Sequence, residues 1–350
     1  MGQTTEPQQS SDLPPQVILA AFRQALQCAA QFCGATSPNP PVGCVILDRH
    51  GNLLAKAAHQ KAGDLHAEAL AIDHCRKSGV AERIHTVIVT LEPCNHTGRT
   101  PPCTEAILGT LAQAVWIGTR DPNTEVCGKG ADRLAANGLH VGFISQLDDP
   151  DAALLAQAAN RLIAPFAKQA RTGLPWVTIK QAVNRAGSMI PEVGKKTFTS
   201  QRSLTFAHQL RKRADAIVTG SGTILADRPE FTVRHVVDFE GRCRHLVILD
   251  RRGRTPDSYL TDADKAGFQA RIDTSLGDAL KRLGQAGVLE VLIEAGPTLL
   301  DRVLASKHWD EHITIRQAAD LKAKDHISLH YPTGSNLKFT GKEHHVLWNY

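Results

Sequence analysis

Three residues far apart in the chain, His66, Cys94 and Cys103, constrain its fold more than any other feature. They stand in the segments His66-Ala67-Glu68 and Pro93-Cys94-Asn95-His96-Thr97-Gly98-Arg99-Thr100-Pro101-Pro102-Cys103. One imidazole and two thiolates make a three-ligand Zn²⁺ set, and three protein ligands leave the fourth tetrahedral position open, as in hydrolytic zinc sites. Glu68, two residues after the histidine, is the candidate catalytic carboxylate for moving protons. The set fits hydrolytic removal of an exocyclic amine. His-x-Glu alone is a weak signal, but joined to Pro-Cys and a second Cys near a helix start it becomes specific. Two plainer readings stand beside it: a structural zinc closed by His96, or a buried histidine with unrelated cysteines.

For these ligands to meet, the intervening chain must fold back on itself, and its patterning predicts how. Residues 17–33 carry apolar positions at helical spacing. Residues 42–47 and 53–58 read as strands around the turn Asp48-Arg49-His50-Gly51-Asn52. A helix is expected over 67–76, a buried strand over 86–91 and a helix over 102–111. A strand over 114–118, a helix over 131–136 and a strand over 139–143 follow. A hairpin followed by alternating helices and strands predicts a three-layer α/β sandwich. His66 and Cys103 then sit at helix starts, where the positive helix end favours thiolate.

Composition bounds the rest. A chain of 350 residues is long for one domain. The net charge of +5 suits an anionic, phosphate-bearing substrate but is too small for a nucleic-acid footprint. No stretch has membrane-spanning length and no signal pattern opens the chain. Eight cysteines without a secretion signal read as a reduced, cytoplasmic protein. Cys28, Cys33, Cys44, Cys75, Cys127 and Cys243 read as small hydrophobes. The acidic, turn-rich residues 147–151 mark a boundary. The expected organisation is a polar tail at 1–16, a zinc-dependent deaminase domain at 17–147 and a second domain at 148–350, entered by a linking helix at 148–174. Strands expected over 176–183, 216–219, 246–249, 289–293 and 312–315, separated by helical stretches, predict a largely parallel sheet with helices on both faces.

Zinc deaminases usually close their motif with Pro-Cys-x-x-Cys, whereas eight residues separate Cys94 from Cys103 here. That loop, the run Leu91-Glu92-Pro93-Cys94, the segment Ser37-Pro38-Asn39-Pro40-Pro41-Val42-Gly43-Cys44 and Asp121-Pro122-Asn123 together resemble one family. It is the bifunctional deaminase/reductase of bacterial riboflavin biosynthesis. The resemblance implies a cytidine-deaminase-like α/β/α sandwich followed by a dihydrofolate-reductase-like α/β domain. It implies zinc-dependent deamination of a diaminopyrimidinone ribosylamine 5′-phosphate, then NADPH-dependent reduction of the ribosyl to a ribityl chain. It places substrate contacts at Asn39, His59, His96, Arg99 and Asn123. The implied partner is a phosphorylated pyrimidine rather than nucleic acid or membrane, in a homo-oligomer built through the reductase domain.

In the second half the resemblance rests on Thr219-Gly220-Ser221-Gly222-Thr223-Ile224-Leu225-Ala226-Asp227-Arg228-Pro229, continuing to Thr232-Val233-Arg234, and on Ile293-Glu294-Ala295-Gly296-Pro297-Thr298-Leu299. Glycine turns between strand and helix let backbone amides approach phosphate. The resemblance assigns Gly220, Gly222, Thr223, Gly296, Pro297 and Thr298 to NADPH, and Thr223, Asp227, Arg234 and Glu294 to substrate. The departures lie here too. The family's Ser-Leu-Asp-Gly-Arg is Asn184-Arg185-Ala186-Gly187-Ser188, and its Glu-Ser-Lys-Trp is Gly194-Lys195-Lys196-Thr197. The second of two aspartates before a proline is Arg228, and Ala-Pro-Lys-Leu-Leu-Gly is replaced by the residues from Arg316 to Asp320. A deaminase with an inactive or retuned reductase-like domain is the alternative these changes leave open.

Overall fold

The computed structural model describes residues 13–96, 101–123, 127–191, 197–318, 324–332, 339 and 342–348. Its packing divides the chain into two compact units. The first comprises Met1–Gln31, Val42–Asn160 and Val346–Trp348; the second comprises Phe32–Pro41, Arg161–His345 and Asn349–Tyr350.

The first unit is built on five strands: β1 (Gly43–Leu47), β2 (Leu53–Ala58), β3 (Thr86–Leu91), β4 (Ala114–Thr119) and β5 (His140–Phe143). Their order is β2-β1-β3-β4-β5. β1 is antiparallel to both β2 and β3, while β4 and β5 continue parallel to β3. β3 is central and every one of its residues is buried, so its run of Thr, Val, Ile and Leu has no polar face to show. Alternation along the strands sends Cys44, Ile46, Val87, Val89, Val115 and Ile117 to one face. There they meet α2 (Ala67–Lys77), α3 (Cys103–Leu108) and α4 (Lys129–Ala136). The other face takes α1 (Pro15–Ala30), which packs so closely that a Cβ on Gly43 would come 2.0 Å from the Ala25 carbonyl oxygen. The predicted three-layer sandwich is therefore present, with sharper helix ends than patterning indicated. Proline at N1 starts α1 at Pro15, and Gly109 ends α3 at Leu108.

α5 (Pro150–Thr172) follows, and the two units divide inside it, between Asn160 and Arg161. The second unit's strands are β6 (Trp176–Val183), β7 (Ala216–Gly220), β8 (Arg244–Leu249), β9 (Phe268–Asp273), β10 (Glu290–Ile293), β11 (Glu311–Arg316) and β12 (His326–His330). They are ordered β12-β11-β6-β10-β7-β8-β9, and every neighbouring pair is parallel except β11 with the edge strand β12. Helices α9 (Leu276–Gln285) and α10 (Pro297–Ser306) cover one face. Helices α6 (Gln201–Arg213), α7 (Ser221–Asp227) and α8 (Asp257–Lys265) cover the other. The expected parallel sheet is seen, with two additional strands. β9 alternates Gln269 and Arg271 outward, and β12 is a polar edge, so neither has the unbroken apolar run that marks the interior strands.

An ion network lies inside this unit. Glu311 meets Arg161 at 2.8 Å, Arg213 at 3.0 Å and the His344 ring at 2.8 Å, with Arg161 and Glu311 both buried. Arg213 also reaches Glu290 at 2.9 Å. Burial opposes ionisation of Glu311, but Arg161 beside it holds the carboxyl well below the usual carboxylate range. Arg161→Met is expected to destabilise the unit by about 3 kcal/mol in a urea titration. That is the low end for a broken buried pair, because Arg213 still faces Glu311.

Candidate active sites

In the first unit the metal set is brought together by helix starts. His66 is the extended N-cap of α2, and its carbonyl accepts from the Leu70 amide at 2.9 Å. Cys94 follows β3, and Cys103 opens α3 behind Pro102. His66 Nδ1 lies 3.6 Å from Cys94 Sγ and 3.3 Å from Cys103 Sγ, and all three ligand atoms fall within 4.8 Å of one another. Zn–N near 2.05 Å and Zn–S near 2.3 Å at a tetrahedral angle put N and S about 3.5 Å apart. The residues present fit the ion. The Cys103 amide also donates to Cys94 Sγ at 3.3 Å, and the Thr104 amide donates to the Cys94 carbonyl at 3.2 Å, so the two cysteines are fastened to each other.

Electrostatics around this set follow from the geometry. A hydrogen bond from the Cys103 thiol favours the Cys94 thiolate, and that thiolate in turn holds Cys103 protonated. A divalent cation displaces this shared proton and takes both sulfurs as thiolates. The bond to Cys94 raises His66 against the effect of burial. Burial pushes the Glu68 carboxyl up from its ordinary value. Glu68 is 3% exposed, in the first turn of α2 beside the ligands.

Of the expected substrate residues, His59 is the one seen against this centre. His59 is buried, stacks edge-on to His66 at 5.3 Å, and sets its Nδ1 3.1 Å from the Leu65 carbonyl, which makes Nδ1 the protonated nitrogen. His96 is exposed and, among the described residues, stands outside the ligand cluster, so the site is not closed as a four-ligand structural zinc by His96. Asn123 is exposed in a turn where its amide donates to Asp121 Oδ1 at 2.9 Å. Arg99 lies outside the described residues. Asn39 belongs to the segment Phe32–Pro41 of the second unit, where Ser37 Oγ donates to Asp215 at 2.9 Å.

Two residues overlooked in the sequence flank Cys94. Glu92 is buried with its carboxylate on four backbone amides. Asn95 Oδ1 accepts from Thr104 at 3.0 Å and Arg133 at 2.8 Å. The signal for Glu92 was present, a carboxylate at the end of an otherwise buried apolar strand.

In the second unit Gly220, Thr223, Glu294 and Gly296 lie at or just after the carboxyl ends of β7 and β10, neighbours in the sheet, the usual ligand position in an open parallel sheet. The Gly296 amide donates to Thr223 Oγ1 at 3.0 Å, locking the two glycine turns together. Pro297 and Thr298 form the exposed first turn of α10, which has no side-chain cap, and among the described residues nothing outside its own helix and chain neighbours comes within 4 Å of the Cβ position of Gly222. Gly220 packs on Leu299. The open position at Gly222 and the α10 start without a side-chain cap fit a phosphate-bearing cofactor. Glu294 is bound by Arg211 at 2.5 Å and by Lys180 at 2.8 Å. Burial opposes its charge, but these two cations hold its carboxyl well below the ordinary range. Lys180 and Arg211 were not anticipated. A lysine inside the largely apolar β6 was the available sign. Arg234 pairs with Glu230 and takes Thr232 Oγ1 at 3.0 Å, while Asp227 is exposed at the end of α7.

Two of the substituted segments touch. The Arg185 amide donates to Gln317 Oε1 at 3.2 Å and Arg185 Nε donates to the Ala318 carbonyl at 2.9 Å. Asn184 and Ser188 close the turn between them at 2.8 and 2.9 Å. The changes at 184–188 and near 316–318 therefore form one hydrogen-bonded patch. The segment 194–196 lies outside the described residues.

This fold and site define a zinc deaminase joined to a pyrimidine-reductase-type domain. The cytidine and deoxycytidylate deaminase zinc-binding region matches residues 16–119, and the RibD C-terminal domain matches residues 175–316. The chain belongs to the RibD family of riboflavin biosynthesis proteins. It is 36% identical over 323 residues to the RibD protein of Escherichia coli, covering 83% of this chain and 84% of that one. It is 33% identical over 281 residues to that of Mycobacterium tuberculosis, covering 80% and 78%. The Acinetobacter baumannii RibD structure superposes with a TM-score of 0.73 at 29% identity over 94% of this chain and 93% of its own. The diaminohydroxyphosphoribosylaminopyrimidine deaminase/5-amino-6-(5-phosphoribosylamino)uracil reductase of Thermotoga maritima does so with a TM-score of 0.75 at 27% identity, over 89% and 90%.

Proposed function

We propose that this chain deaminates a diaminopyrimidinone ribosylamine 5′-phosphate and then reduces the product's ribosyl group to a ribityl chain with NADPH. The observation that carries the reading is the convergence of His66, Cys94 and Cys103 beside the buried Glu68. Those three ligands would hold zinc, which supplies Lewis-acid activation of water for hydrolysis. Glu68 takes the proton released in attack and returns protons to the ring nitrogen and the leaving amine. Its burial suits both roles, since a carboxyl with a raised pKa is a better proton donor near neutrality than an exposed carboxylate. His59, buried against His66, lines the same centre; Asn39, His96, Arg99 and Asn123 are proposed substrate contacts.

In the reductase-like domain, NADPH supplies hydride when bound. Gly220, Gly222, Thr223, Gly296, Pro297 and Thr298 would hold its phosphates. Thr223, Asp227, Arg234 and Glu294 are proposed to contact substrate, with Lys180 and Arg211 fixing the Glu294 carboxylate. The proposed domains are residues 17–147 for deamination and 148–350 for reduction, after a tail at 1–16. The reading includes a cytoplasmic homo-oligomer assembled through the reductase-like domain. The eight cysteines are free, and no helix among the described residues is long and apolar enough to cross a membrane.

The test is a two-stage assay on zinc-loaded protein. Ammonia release without NADPH, followed by NADPH oxidation matching the ammonia released, is the expected result. Ammonia alone, with a control reductase competent on the product, would show an inactive or retuned second domain. No ammonia would overturn the substrate assignment.

A further inference from the structure

We propose that Glu92 is a positioning residue for deamination, its carboxylate holding the Cys94 loop, the Asp121–Asn123 turn and the start of α4 in one fixed arrangement. Oε2 accepts the amides of Asp121 at 3.3 Å and Gly128 at 3.1 Å, and Oε1 accepts those of Gly130 and Ala131 at 3.2 Å each. With each oxygen receiving two N–H groups, the carboxylate is fixed in rotation. Its own backbone is fixed as well, because the Glu92 amide donates to the Thr119 carbonyl at 2.9 Å, continuing the β3–β4 ladder. Cys94 is the second residue after this anchor.

Two further observations show that α4 is the platform on which the ligand loop rests. A Cβ on Gly130 would lie 2.0 Å from the Pro93 carbonyl oxygen, so helix and loop are in backbone contact. On the other flank of Cys94, Asn95 donates to the Lys129 carbonyl at 3.3 Å and accepts from Arg133. No side chain of the Gly128 N-cap serves α4, and Glu92, the residue after β3, performs that task. The same carboxylate thus joins a metal ligand to the turn carrying Asn123. A group with that placement sets where substrate sits relative to the ligands.

The kinetic part of this inference rests on the deaminase reading above; the structural part does not. Glu92→Gln keeps the volume but turns an amino group toward two amide donors, leaving donors facing donors. The expected result is a KM raised about tenfold with a smaller change in kcat and wild-type zinc content. Deuterium exchange at the amides of Asp121, Gly128, Gly130 and Ala131 should quicken by about tenfold or more. Glu92→Asp keeps both oxygens on a shorter stem and should show smaller changes of the same kind. It carries the comparison if the glutamine variant does not accumulate. Unchanged KM at full zinc, unchanged exchange at the four amides, or activity wholly restored by added zinc would each overturn the proposal. Should the wild-type protein release no ammonia, the substrate reading fails, while the exchange experiment still tests the clamp.

Discussion

Glu68→Gln is expected to lower ammonia release by about 10²–10⁴-fold, the range for loss of a positioned general acid–base, while zinc content stays at the wild-type level. The reasoning is geometric. Glu68 is not one of the three clustered ligand atoms, yet it is buried in the same helical turn that follows His66. Glutamine preserves shape and one acceptor oxygen but neither accepts nor delivers a proton. Its amide adds no charge to a buried position, so the variant should melt at or above the wild-type temperature. Zinc analysis beside the kinetic assay separates this outcome from ligand loss. A variant that keeps its zinc and its activity would mean that protons reach the substrate by another group.

Cys103→Ala is expected to remove zinc as well as activity. It deletes one of the three ligands clustered among the described residues, and the thiol is 1% exposed at the start of α3. The affinity loss should exceed the roughly 10–100-fold that changing a group behind a ligand costs. Competition with a chromophoric chelator measures it. Cys75→Ala is the matched control, since Cys75 is also buried but belongs to the apolar cluster under α2. Equal zinc loss in both variants would show that the effect comes from packing rather than coordination.

Much of this was legible from the residues. The clustering of His66, Cys94 and Cys103 could be anticipated because zinc takes particular side chains, whose local motifs leave a trace in the sequence. β6 was legible to its ends because it is a long, mostly apolar run. β9 and β12 were not, since an alternating strand at one edge and a polar strand at the other resemble loops in composition. The carboxylate after an apolar run marks Glu92, but its role escaped notice because its partners are backbone amides, which no side-chain pattern names. Lys180 and Arg211 escaped because they meet Glu294 only when β6, α6 and the end of β10 come together. The placement of residues 32–41 with the second unit also arises from long-range contacts, such as Ser37 with Asp215. Apart from the family resemblance that marks Asn39, their Pro-Asn-Pro chemistry reads as a turn.

The most direct measurement is the mass of the product formed by the purified, zinc-loaded chain from the pyrimidine ribosylamine phosphate, with and without NADPH. Without NADPH, the expected product has one amine replaced by oxygen. With NADPH, the same product gains two hydrogens on the sugar. A substrate mass unchanged in both reactions, or a deaminated product that never gains hydrogen even with active cofactor, would contradict the claim that one chain performs both steps.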